Sequence, residues 1–66
     1  MKITKKKYVI ITKGFPIEFD SGDGNIVDDI EYANFYDGKD EAYISLKFFD
    51  EPEDYQVIGV NIIYEF

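Results

Sequence analysis

A chain of 66 residues with 14 acidic and 7 basic side chains, and a formal net charge of −7, has room for one domain and repels nucleic acid as a whole. It contains no cysteine and no histidine, which excludes disulfides, thiolate metal sites and the commonest general base. Six phenylalanines and six tyrosines can fill a small core, and so many leave some tyrosines for the surface, as partner and self-association faces do.

The charge is unevenly spread. Residues 1–13 carry five lysines and no acid, whereas residues 14–66 carry two lysines and all fourteen acids. The apolar run behind the first lysines, Tyr8 to Ile11, is four residues long, against the roughly 7–15 of a signal-peptide core. No segment approaches the roughly 20 apolar residues of a membrane span. The expectation is a soluble cytoplasmic protein with no membrane contact.

In chain order, Lys7 to Thr12 (KYVIIT) is β-branched and aromatic, the composition of a first strand buried on nearly both faces. Lys13-Gly14 reads as a tight turn. Phe15, Ile17 and Phe19 then alternate with Pro16, Glu18 and Asp20, which predicts a half-buried second strand with the first three inward. Pro16 cannot donate to a ladder, so this strand is expected at the sheet edge. Residues 21–25, SGDGN, are turn chemistry throughout. Ile26 to Phe35 admits two readings: a helical turn over Ile26–Asp29 capped by Asn25, or a short strand through Ile30, Tyr32 and Phe35.

Ala33 to Phe49 reads as a lead-in segment followed by the one helix, expected over Gly38 to Phe49. Asp37 is suited to cap it, Asp40 and Glu41 favour its first turn, and Lys47 its last. Ala42, Leu46 and Phe49 follow the spacing of a core-facing stripe. Asp50-Glu51-Pro52 closes it, because the residue before a proline is pushed out of the α region. Tyr55 to Phe66 (YQVIGVNIIYEF) is the strongest strand signal: Ile58, Val60, Ile62, Tyr64 and Phe66 make one apolar face, with Val57 and Ile63 on the other. A buried closing strand predicts that loss of residues 61–66 abolishes folding.

These elements make a single α+β domain over residues 1–66, in the order ββαβ. A right-handed crossover favours a mainly antiparallel three-stranded sheet with strand order second-first-third and the helix across one face. The other face is then open, a surface on which a homodimer can form.

The strand Tyr8-Val-Ile-Ile, Ala33 and Phe35 leading into Asp40-Glu41-Ala42, and the closing Val60-Asn-Ile-Ile-Tyr64-Glu together resemble a group of small proteins. They are encoded in phage and prophage early regions of Gram-positive bacteria, and most have no assigned activity. The resemblance spans nearly the whole chain and implies a setting inside a bacterial host. It carries over no functional residue.

Catalytic chemistry finds little support. Calcium loops need oxygen ligands at positions 1, 3, 5 and 12 with glycine at 6; starting at Asp20 puts Gly22 and Gly24 at ligand positions, and starting at Asp23 puts Val27 and Asp28 at the fifth and sixth. Paired carboxylates need a concave site and a raised pKa, which one helix on three strands scarcely provides. No phosphate loop or nucleophile system is present. The reading is of no enzyme, no cofactor and no metal.

The most informative surface feature is Asp50, Glu51, Glu53 and Asp54 with Tyr55 beside them. Acids directly after a helix C-terminus oppose its dipole at about 0.3–1 kcal/mol, so a partner-binding role is a reason for their presence, with solubility the competing one. The leading expectation is a non-catalytic protein–protein interaction module that docks on a basic surface of a host or phage factor. A self-assembling homodimeric protein is the second reading. A third is an acidic mimic of nucleic acid, opposed by the scatter of the acids: the second strand offers only Glu18 and Asp20 outward, and the last only Glu65.

Overall fold

The computed structural model describes residues 1–66 in full. Its strands are β1 (Lys2–Thr12), β2 (Phe19–Asp20), β3 (Ile26–Val27) and β4 (Tyr55–Glu65), with one helix, α1 (Lys39–Leu46), and 3-10 turns at Ile30–Tyr32 and Pro52–Asp54. The four strands form one sheet in the order β3-β2-β1-β4, and every pairing is antiparallel. The α+β class and the central place of β1 agree with the sequence; the sheet has a fourth strand, and β2 is not its edge. No helix is long and apolar enough to cross a membrane.

β1 and β4 are the frame. They pair over eleven positions each, from Lys2 opposite Glu65 to Thr12 opposite Tyr55. β1 therefore begins five residues before the expected Lys7. Lysines form strands poorly alone, and here the ladder to the β-rich β4 overrides that preference. The ladder's far end holds too: Phe66 N–H donates to Met1 O at 2.8 Å, and the Met1 amino group donates to Phe66 O at 3.0 Å.

The core is small. Val9, Ile10, Ile11 and Ala42 are its buried apolar residues. Val9 and Ile10 are neighbours in a strand and point to opposite faces, yet both are completely buried. The sheet is therefore covered on both faces at its centre, which replaces the expected open face. α1 packs on β1 and β4 and brings Ala42 into the core, with Leu46 and Phe49 half-buried beside it. Away from the centre the β1–β4 ladder is bare: Lys2–Lys6 are exposed, Ile62 is the only residue of 61–66 with partial cover, and Ile63 is 57% exposed. The closing strand is thus buried only in its first half.

The second strand is much shorter than the alternation implies, because Lys13 to Glu18 form a loop. Thr12 organises it: its N–H donates to Glu18 O at 3.0 Å, its hydroxyl donates toward Pro16 O at 3.1 Å, and its Oγ1 accepts from Glu18 N–H at 3.0 Å. Phe15, expected inward, is 92% exposed at the tip of this loop. β2 and β3 are joined by residues 21–25, where Gly22 and Gly24 take φ of 86° and 88°, values that other residues rarely adopt.

Both readings of residues 26–35 are displaced. The strand falls at Ile26–Val27, and the helical turn falls at Ile30–Tyr32, where the Asp29 carboxylate accepts from Glu31 N–H at 2.9 Å. The chain then returns to β1, with Tyr36 and Tyr8 exchanging backbone hydrogen bonds at 2.8 and 2.9 Å. α1 is also shorter than expected at both ends. The cap is Gly38 rather than Asp37, whose carboxylate pairs instead with the Lys7 ammonium. Past Leu46, Phe48 and Phe49 donate to Ser45 and Leu46 carbonyls in tightened turns, and the Phe49 ring meets Tyr55 edge-on at 5.0 Å.

Candidate protein-binding site

The acidic segment singled out from the sequence forms a ridge between the helix and β4. Glu51 and Pro52–Asp54 make a 3-10 turn closed by Asp54 N–H donating to Glu51 O at 3.1 Å. Lys13 N–H donates to Asp54 O at 2.9 Å and ties the ridge to the end of β1. Asp50 lies beyond the last helical turn, because α1 stops at Leu46. The dipole conflict expected for these acids is therefore absent, since that field fades within the final turn.

The structure brings Asp50, Glu51, Glu53, Asp54 and Tyr55 together and divides them between two open clefts. The first, about 430 Å³, is lined by Asp50, Glu51, Tyr55, Phe48 and Phe49, with Asp20 and Ile26 across from them. The second, about 390 Å³, lies on the other side of the ridge, where Glu53, Asp54 and Tyr55 face Lys13, Phe15 and Glu18. Tyr55 belongs to both. Each cleft has one strongly exposed phenylalanine at its margin, Phe48 at 83% and Phe15 at 92%. Sequence reasoning assigned neither to the site. Phe15 was hidden by an alternation that resembled a strand, and Phe48 by its place inside the expected helix.

Electrostatically the ridge is crowded. A hydrogen bond to Asp54 and the negative charges of Asp54, Glu53 and Asp50 raise the Glu51 carboxyl above its ordinary range. A cation placed there relieves this repulsion. Asp20, by contrast, is turned into the fold: it is 3% exposed, and its two oxygens accept from Gly22 N–H and the Tyr36 hydroxyl, both at 3.0 Å. The alternation of the second strand points it outward, and the structure turns it inward. Its neighbour across the turn, Asp23, is held below the ordinary carboxylate range by the Ser21 hydroxyl and the Asn25 N–H. The acidic turn is thus engaged with its own donors, and no three acids converge in a geometry that could hold a metal ion.

No protein-family model matches the chain, and neither a curated protein nor a solved structure matches it.

Proposed function

We propose that this chain is a non-catalytic interaction module that binds a basic protein surface through the 50–55 ridge. The observation that carries the reading is the pairing of exposed aromatics with acids: Phe48 and Phe15 flank a ridge that holds four carboxylates within five positions. Exposed aromatic side chains are typical interface anchors. An aromatic and acidic cleft suits a lysine or arginine side chain, whose stem packs on the rings while its charge meets Asp50 or Glu51. The crowding that raises Glu51 supports the same reading, since a bound cation offsets a repulsion the free protein retains. Together with the resemblance to small phage and prophage proteins, this points to a factor of the bacterial host or the phage as the partner, met in the cytoplasm.

The test is retention of a basic protein from host lysate by the wild type and by Asp50→Lys/Glu53→Lys. Binding that disappears on charge reversal, and weakens in Phe48→Ala, supports the reading. If wild type retains nothing and the reversed variant behaves as wild type in the cell, the proposal fails.

A further inference from the structure

The carboxylate of Asp20 is an anion that the fold buries without a counter-charge. Carboxylates as enclosed as this one, at 3% exposure, are rare unless a cation stands beside them. The partners of its two oxygens, Gly22 N–H and the Tyr36 hydroxyl, are both neutral. The ion pairs of the chain lie elsewhere, Lys2 with Glu65 and Lys7 with Asp37. Two hydrogen bonds hold the carboxylate in place and leave its charge uncompensated. It lines the first cleft, across from Asp50 and Glu51.

The same cleft is partly walled by aromatic rings. Phe48 is 83% exposed there, and Phe49 and Tyr55 meet edge-on at 5.0 Å. The acids do not converge closely enough to hold a metal ion. A cation that balances them therefore needs a body of its own, broad enough to touch carboxylates on one side and rings on the other. About 430 Å³ of open space leaves room for one.

We infer, building on the ridge as a surface for a basic protein, that this cleft receives the guanidinium of one of that protein's arginines. A guanidinium sheds water more readily than an ammonium, and its flat face stacks on an exposed ring such as Phe48. Its forked donors match carboxylate oxygens, which Asp50 and Glu51 supply at the rim. Asp20 acts from within the wall: shielded from water, its negative charge is little screened and is felt in the cleft. A lysine ammonium, compact and strongly hydrated, gives up more to enter the same place. The first cleft thus differs from the second, where Lys13 stands among the lining residues and opposes a further cation.

The test titrates N-acetyl-arginine amide and N-acetyl-lysine amide separately into the isotope-labelled full chain at low ionic strength, followed by NMR. The arginine compound is expected to saturate with a Kd on the order of 1 mM and to shift the amides of Gly24, Phe48 and Asp50. The lysine compound is expected to bind about tenfold more weakly. Asp20→Asn removes the charge and keeps both hydrogen bonds, since the amide oxygen accepts from Gly22 N–H and the amide nitrogen donates to the Tyr36 oxygen. It is expected to weaken arginine binding about fivefold with a wild-type circular dichroism spectrum. If that variant does not fold, Phe48→Ala decides, with an expected loss of about threefold. Equal binding of the two compounds overturns the inference, as do shifts that never saturate. So does arginine binding left unchanged by folded Asp20→Asn or, where that variant does not fold, by Phe48→Ala. The site and the basic partner can fail separately. A chain that retains a lysate protein yet binds both compounds alike loses the arginine site alone, whereas one that binds the arginine compound and retains no protein supports the site and loses the partner.

Discussion

Asp20 is the only buried ionisable side chain, and its role could not be read from its own segment. Its hydroxyl partner, Tyr36, is sixteen residues away, in a stretch without usable periodicity. Val9, Ile10 and Ile11 were legible because a β-branched run has few other places to go. Ile10 is fully buried, so Ile10→Ala is expected to cost about 2–5 kcal/mol in a urea melt. Leu46, only half-buried, should fall at the low end of that range. A domain of this length holds roughly 3–10 kcal/mol in all, so the first change alone removes much of it. Glu51 makes a pH-dependent prediction. Its folded carboxyl is raised, so the folded chain holds the proton more tightly than the unfolded one, and stability from this group falls as pH rises through the folded value. Glu51→Gln is therefore expected to melt higher than wild type at neutral pH, with the difference vanishing below the ordinary value of 4.5. Asp37 acts with the opposite sign. Its bond from Lys7 lowers its carboxyl, and the stability it adds is lost as pH falls through that lowered value, from an ordinary 3.8.

At the scale of elements, periodicity located β1, β4 and α1 and misplaced their ends. Each error has a local cause: Lys7 draws Asp37 away from the helix cap, Tyr55 draws Phe49 off the helix axis, and β4 recruits the lysines into β1. Residues 15–18 copy a strand in alternation, which points Phe15 inward, while Thr12 holds them in a loop that leaves it exposed. The divided character of β4 changes what truncation should do. Its first half is packed under cover, and its second half pairs with the exposed stretch Lys2–Lys6 of β1. Deleting residues 63–66 is expected to leave a folded domain with a modestly lower melting temperature, measured by circular dichroism. A truncated chain without cooperative melting would show that the bare ladder is essential.

The molecule as a whole measures 41 × 24 × 19 Å, and the long axis fits the eleven-residue pair of strands, each about 36 Å at 3.3 Å per residue. Part of its charge is separated in space: Lys2, Lys5 and Lys6 lie on the bare ladder and Asp50, Glu51, Glu53 and Asp54 on the ridge, while the other ten acids are spread along the rest of the chain. That separation was visible in the composition. What the acids do could not be, because the two clefts arise from the loop at 13–18, which alternates like a strand beyond its Lys13-Gly14 turn, and from the turn at 47–49, which reads as a continuation of the helix. The extreme end of the ladder has its own consequence. Met1 and Phe66 are cross-strand neighbours, joined by two backbone hydrogen bonds, so a two-residue Asn-Gly hairpin linker can splice them into an unbroken ring. Fresh termini could then be cut in the surface loop at Gly24, and the domain could ride inside another protein's loop as a rearranged guest.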